Sequence, residues 1–106
     1  MIITITRENF ESEILQATKP VVIDAFATWC GPCQYMKPLF EELSQELKDT
    51  FIFAELNVDE AREIAIKFGI SSVPTFIFVK NGQLKGKETG SMSKDDLTAK
   101  IYKHLG

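Results

Sequence analysis

The residues Trp29-Cys30-Gly31-Pro32-Cys33 join a predicted strand to a predicted helix in this 106-residue chain. The continuous apolar run at 21–26 precedes them and predicts a strand that is buried on both faces. Apolar residues at helical spacing follow them: Met36, Leu39, Phe40, Leu43 and Leu47. The two cysteines therefore lie about one helical turn apart, where their sulfur atoms face each other. A small disulfide ring can close there with little movement of the backbone.

The two cysteines differ in their predicted surroundings. Cys30 lies where the helix begins, and the unpaired N–H groups and the positive end of the helix dipole favour a thiolate there. Cys33 lies one turn inside the helix, where it is shielded and can attack a mixed disulfide formed on Cys30. The pair predicts a site of dithiol–disulfide exchange, with Cys30 as nucleophile and Cys33 as resolving cysteine.

Two other roles for a Cys-x-x-Cys pair fit the sequence less well. A closed zinc site needs four ligands, but the chain has no third cysteine, and its only histidine is His104, two residues from the C-terminus. We therefore expect no metal. A purely structural disulfide would close a loop too short to restrict the unfolded chain appreciably.

Length and composition limit the class of protein. A chain of 106 residues with 44% apolar residues predicts one globular domain, 1–106, with a single core. The net charge of −3 provides no basic surface for nucleic acid. No apolar run approaches the roughly 20 residues that span a bilayer, and the N-terminal run at 1–5 lacks the features of an export signal. We therefore expect no membrane association and a reducing, cytoplasmic location, where a cysteine pair is more often catalytic than structural.

The remaining pattern predicts one sheet with helices on both faces, in the order βαβαβαββα. Strands are predicted at 2–5, 21–26, 51–58, 75–79 and 84–88, and the last two flank the hairpin turn Asn81-Gly82. Helices are predicted after Thr6, after Cys30, at 60–68 and after Ser93. We expect Asp59 to cap the third helix and Pro38 to kink the second.

Asp24 is the unusual polar residue of the central strand. A carboxylate in a strand that is covered on both faces is costly to ionise, so its pKa is expected to be raised. An aspartate that is paired or hydrated for structural reasons is the alternative, but its place shortly before the paired cysteines favours a functional role.

The sequence resembles the thioredoxin family over nearly its whole length. The matching residues are Asp24, Ala27, Trp29-Cys30-Gly31-Pro32-Cys33, Pro38, Asp59, Val73-Pro74-Thr75, Asn81-Gly82 and Gly90. The resemblance implies the thioredoxin fold, an α/β fold in which four helices flank a central mixed five-stranded sheet. It also implies a general protein-disulfide reductase and electron donor, with no cofactor other than the redox-active Cys30–Cys33 disulfide.

The resemblance implies further site residues. Asp24 would accept and donate the proton of Cys33, and Val73–Pro74 would be a cis bond beside the disulfide. A shallow substrate-binding face would surround Cys30, formed by Trp29, Gly31, Pro32, Val73, Pro74, Gly90, Ser91 and Met92. The chain departs from the common bacterial pattern near Asp24: Glu55 replaces a strand lysine, and Phe26 replaces a frequent tryptophan. We expect Lys37, which precedes Pro38, to pair with Glu55 near Asp24.

The partners follow from the same resemblance. Because the chain has no Gly-x-Gly-x-x-Gly nucleotide motif, electrons must come from a partner, by analogy an NADPH-dependent thioredoxin reductase. Disulfide-containing client proteins would be the substrates, and the protein would act as a monomer. Two alternatives remain, an oxidase or isomerase of the same fold and a scaffold without redox turnover. Gly31-Pro32 and the lack of an export signal disfavour the first, and the intact cysteines with Asp24 disfavour the second.

Overall fold

The computed structural model describes all residues, 1–106, and contains one five-stranded mixed sheet. Its strands are β1 (Ile2–Thr4), β2 (Val21–Phe26), β3 (Ile52–Asn57), β4 (Thr75–Lys80) and β5 (Gln83–Thr89). Their spatial order is β1-β3-β2-β4-β5. β1 and β2 run parallel to β3, whereas β4 runs antiparallel to both β2 and β5. The predicted parallel crossovers and closing antiparallel hairpin are confirmed.

Four helices accompany the sheet, as predicted. They are α1 (Phe10–Leu15), α2 (Gly31–Glu46), α3 (Arg62–Lys67) and α4 (Lys94–Leu105). α1 is a short helix of the wide π type, in which the Gln16 N–H donates to the Glu11 carbonyl five residues earlier. α2 continues through Pro38, whose missing N–H leaves the Gln34 carbonyl without its helical donor. The chain has no helix with the length and apolar character needed to cross a bilayer.

The helix after Ser93 begins where it is predicted, whereas the predicted cap at Asp59 is wrong. Ser93 caps α4, because its hydroxyl accepts a hydrogen bond from the Asp96 N–H at 3.1 Å. Asp59 does not cap α3, which begins three residues later without a side-chain cap. The Asn57 side chain accepts the N–H groups of Asp59 and Glu60 instead, at 3.0 and 3.2 Å. The Asp59 carboxylate is therefore free to bind elsewhere.

Two apolar layers enclose the sheet, one on each face. α2 and α4 cover the face that carries an aromatic cluster, with Phe40, Phe53, Phe76 and Phe78 at its centre. α1 and α3 cover the other face, where the buried residues are mostly aliphatic, among them Ile14, Ile23, Leu56, Ile64 and Ile77. Because side chains alternate along a strand, Asp24 lies on the same face as Val22 and Phe26, toward α2. The sheet thus positions one carboxylate beneath the helix that carries the cysteines.

The β4–β5 hairpin joins both layers to the sheet. Asn81 and Gly82 have positive φ angles of 53° and 74°, which match the predicted Asn-Gly turn. On one side, the Lys87 ammonium donates to the Phe68 carbonyl at 2.9 Å, at the C-terminus of α3. On the other side, Glu88 lies 2.8 Å from the His104 ring of α4. The hairpin therefore fixes the positions of α3 and α4 relative to the sheet.

The aromatic cluster supplies a stability prediction. The Phe40 ring is buried with its edge toward Phe53, at 5.3 Å between centroids. Phe40→Ala removes this packing and leaves a cavity, so we expect the free energy of unfolding of the oxidised protein to fall by about 3–5 kcal/mol. Urea unfolding measures the change. Ile66→Ala, at a side chain that is 70% exposed, is the control and should change stability by less than about 0.5 kcal/mol. Equal losses in the two variants would contradict this account of the core.

Candidate active site

The disulfide lies at the N-terminus of α2. Cys30 is the N-cap residue, with extended backbone angles, and it is bonded to Cys33 across a Cα–Cα distance of 5.3 Å. Gly31 and Pro32 occupy the first two helical positions, where the missing N–H of proline costs no helical hydrogen bond. The backbone thus brings the two predicted cysteines together in one turn.

Both sulfur atoms are shielded in the oxidised protein, since Cys30 is 5% exposed and Cys33 is 2% exposed. The difference between them lies in their hydrogen bonds. The Cys33 N–H donates to the Cys30 sulfur at 3.2 Å. Once the disulfide is reduced, that donor and the start of the helix stabilise negative charge on Cys30. This geometry favours Cys30 as the thiolate.

A loop before β4 lies against the disulfide. The Val73–Pro74 bond is cis, as predicted, and the Val73 carbonyl oxygen lies 3.7 Å from the Cys30 sulfur. The buried Pro74 carbonyl accepts a hydrogen bond from the Gly90 N–H at 2.8 Å, which joins this loop to the end of β5. The Val73 N–H has no hydrogen-bond partner in the chain. A free backbone edge is therefore available next to the reactive sulfur.

The Trp29 ring forms one wall of a groove beside that edge. It is 73% exposed, and its Nε1–H donates to the Asp59 carboxylate at 3.0 Å. This is the carboxylate that the sequence predicted as the cap of α3. The groove has a volume of about 150 Å³ and is lined by Trp29, Val58, Ile70, Ser71, Ser72 and Val73. Four of these residues, 58 and 70–72, were not predicted. Their only sequence signal was their position at the end of β3 and before the predicted cis proline.

The other residues of the predicted surface differ in exposure. Gly31, Pro32 and Ser91 are exposed, while Gly90 and Met92 are half-buried. Gly90 has a φ of 102°, a conformation that favours glycine at this position. The Met92 N–H donates to the Met36 sulfur at 3.4 Å, which connects the loop after β5 to α2.

Asp24 is buried beneath this site. It is 4% exposed, and its Oδ1 atom has no hydrogen-bond partner in the chain. The pKa of Asp24 is raised from 3.8 to about 7, chiefly because burial penalises the charged form and secondly because of the negative charge of Glu55. Lys37 acts in the opposite direction and lowers this pKa. The carboxyl group can therefore gain or lose a proton near neutral pH.

The predicted pairing of Lys37 with Glu55 is wrong. No ion pair joins them. Glu55 is the direct neighbour of Asp24 across the strands β2 and β3, and it accepts a hydrogen bond from the Thr4 hydroxyl at 3.4 Å. The Lys37 ammonium lies over the Phe26 ring, 4.9 Å from its centroid. Lys37 and Glu55 therefore contact different groups, and their charges shift the pKa of Asp24 in opposite directions.

Comparison with known proteins agrees with this geometry. The sequence profile of the thioredoxin family matches residues 1–103. The chain belongs to the thioredoxin family. It is 40% identical over 101 residues to thioredoxin of Chlorobaculum thiosulfatiphilum, covering 95% of this chain and 94% of that protein. It is 35% identical over 105 residues to thioredoxin of Rickettsia prowazekii, covering 99% of this chain and 100% of the relative.

A plant relative is similar at the same level. Thioredoxin H4 of Arabidopsis thaliana is 41% identical over 91 residues, which cover 86% of this chain and 76% of that protein. Membership of the thioredoxin family, together with the Cys30–Cys33 pair, assigns a thiol–disulfide oxidoreductase function to this chain. The five-stranded sheet with four helices is the thioredoxin fold that the sequence predicted.

The raised pKa of Asp24 predicts how stability depends on pH. The folded protein keeps the proton on Asp24 up to about pH 7, whereas the unfolded chain loses it near 3.8. The free energy of unfolding is therefore highest below pH 3.8, where Asp24 is neutral in both states, and it falls as pH rises to about 7. Asp24→Asn removes this loss, so the variant should be more stable than the wild type above pH 7 by about 4 kcal/mol.

Urea unfolding of both oxidised proteins across this pH range measures the difference. The gap should widen between pH 3.8 and about 7 and then remain constant. Glu60→Gln, which removes an exposed carboxylate, is the control and should show no such trend. A gap that is the same at all pH values would show that Asp24 titrates normally.

Proposed function

We propose that this thioredoxin-family protein is a general reductant of protein disulfides and an electron donor. The observation that carries the proposal is the Cys30–Cys33 disulfide at the start of α2, beside the unpaired Val73 backbone. A reactive sulfur and a free backbone edge together favour an extended polypeptide substrate, which can add its own backbone hydrogen bonds there.

Substrate binding would use the groove and the loops around it. The Val73 N–H would donate to a substrate carbonyl, and the exposed Trp29 ring would cover an apolar side chain of the substrate. Gly31, Pro32, Pro74, Gly90 and Ser91 would form the remaining, shallow part of the face. Because these contacts involve mainly backbone and apolar surface, they suit clients of varied sequence.

The reaction would proceed in two exchange steps. The Cys30 thiolate attacks one sulfur of the substrate disulfide, which forms a mixed disulfide and releases the other substrate sulfur as a thiolate. Asp24 then accepts the proton of Cys33, and the Cys33 thiolate attacks the Cys30 sulfur. The second substrate sulfur leaves and is protonated, so two electrons pass from the protein to the substrate. A pKa of about 7 lets Asp24 accept this proton and return it near neutral pH.

The cycle requires a source of electrons outside the chain. We propose that a separate NADPH-dependent thioredoxin reductase reduces the Cys30–Cys33 disulfide again, so that the chain itself needs no cofactor. Disulfide-containing proteins would be its clients, and it would act as a monomer in a reducing cytoplasm. Neither a nucleic acid nor a membrane takes part in this scheme.

Single-cysteine variants test the order of attack. Cys33→Ser should form a stable mixed disulfide with insulin, because the sulfur that resolves the complex is missing. Cys30→Ser is the matched control and should trap little, since the remaining sulfur lies inside the helix and is 2% exposed. Non-reducing electrophoresis measures the trapped fraction. More adduct on Cys30→Ser than on Cys33→Ser would reverse the roles of the two cysteines.

Alkylation of the reduced wild-type protein tests the same assignment without mutation. We expect iodoacetamide at neutral pH to modify Cys30 before Cys33, because the helix start and the Cys33 N–H stabilise the Cys30 thiolate. Peptide mapping after a short reaction measures the ratio. Equal modification of both cysteines would remove the electrostatic basis for Cys30 as nucleophile.

A Cys30→Ser, Cys33→Ser double variant that kept the cellular role would identify a scaffold instead.

A further inference from the structure

The contact between Phe26 and Lys37 is a feature that the two exchange steps do not use. The Lys37 ammonium lies 4.9 Å from the centroid of the Phe26 ring, within the range of a cation–π interaction. Lys37 is exposed and has no ion-pair or hydrogen-bond partner in the chain. The ring is therefore the contact that restricts the position of this charge.

The ring itself is fixed by the active site. Phe26 is half-buried and packs against the cluster formed by Ala27, Cys30 and Cys33. It also follows Asp24 by two residues, so both side chains lie on the face of β2 toward α2. Lys37 follows Cys33 by four residues, which places both on one side of α2. One aromatic ring thus contacts the disulfide cluster and the lysine.

The charges around Asp24 make the position of Lys37 important. Two charged side chains act on it, Glu55 from β3 and Lys37 from α2. Besides Lys37, α2 carries Cys33, whose thiol is free only after the disulfide is reduced, and β4 contributes Phe76, which carries no charge, as the strand neighbour of Asp24. Glu55 opposes ionisation of Asp24, and Lys37 favours it. Lys37 is thus the cation that partly offsets the effects of burial and Glu55 on the pKa of Asp24.

We propose that Phe26 is a positioning residue of the exchange site: its ring holds the Lys37 ammonium where the positive charge acts on Asp24. This inference rests on the proposed role of Asp24 as the base for Cys33. Without the ring, Lys37 extends into solvent, where its charge is screened. The pKa of Asp24 then rises above about 7, and the base is ionised only at higher pH.

A single-turnover reaction isolates the step that uses the base. The reduced protein reacts with 5,5′-dithiobis(2-nitrobenzoate): Cys30 displaces one thionitrobenzoate, and Cys33 then displaces the second from the mixed disulfide. The rate of the second release, measured by stopped flow between about pH 5 and 9, gives the pH midpoint of the resolving step. Phe26→Leu should raise this midpoint by roughly 0.3–0.6 pH unit, the size expected for one charge acting through partly hydrated protein.

Five further variants distinguish the proposed cause from others. Lys37→Met should raise the midpoint by a similar amount, and the two changes combined should do no more than either alone. Phe26→Trp keeps an aromatic face for the ammonium and should keep the wild-type midpoint. Lys67→Met removes a similar lysine, 5.7 Å from the Phe10 ring on the other face of the sheet, and should also keep the wild-type midpoint. In Asp24→Asn, replacing Phe26 with leucine should have no effect on the pH profile.

A structural readout accompanies the kinetics. In the wild type, the Lys37 ε-methylene protons should show an upfield ring-current shift in NMR spectra, and Phe26→Leu should abolish it. Unchanged midpoints in Phe26→Leu or Lys37→Met, or additive shifts in the double variant, would overturn the role of the ring. If Asp24→Asn retained the wild-type pH profile, Asp24 would not be the base. That result would overturn the proposed mechanism itself, independently of the role of Phe26.

Discussion

The burial of the Asp24 carboxylate in the central strand is the constraint on which the rest of the site depends. Its Oδ1 atom lacks a hydrogen-bond partner, so no hydrogen bond to that atom stabilises the ionised form, and desolvation opposes ionisation. The cost is a loss of stability as pH rises toward 7. Two apolar layers on either side of β2 supply enough packing to tolerate this group. A fold with a thinner core would have to hydrate Asp24, which would return its pKa to the ordinary range and make it a weaker base.

The sulfur chemistry depends on a second constraint, the start of α2. The N-cap position of Cys30 determines which sulfur receives the backbone N–H and the helix dipole. The loop at Val73–Pro74 lies against that sulfur, with the Val73 carbonyl oxygen 3.7 Å away. In the proposed mechanism the strand positions the base, the helix favours the nucleophile, and the loop forms the substrate edge. Each function therefore comes from a different element of the same fold.

Patterns that act locally could be predicted from the sequence, and contacts between distant segments could not. The buried strand β2, the Asn81-Gly82 turn and the Ser93 cap each follow from a few adjacent residues. The same local reasoning predicts a helix cap at Asp59. Its carboxylate instead accepts the Trp29 Nε1–H, from a residue 30 positions earlier, and α3 begins only at Arg62. The choice between these partners depends on the three-dimensional arrangement.

The absence of an ion pair between Lys37 and Glu55 likewise depends on contacts between distant segments, and it affects the charge near Asp24. Opposite charges near one buried group suggest an ion pair, but a carboxylate partner for Lys37 would neutralise the cation where Asp24 needs it. An aromatic ring attracts an ammonium group without adding net charge, so Lys37 keeps its full effect on Asp24. Glu55, hydrogen-bonded to Thr4 at the outer side of β3, remains an opposing charge. The proton affinity of Asp24 therefore depends on two charged neighbours that make separate contacts, Glu55 with Thr4 and Lys37 with the Phe26 ring.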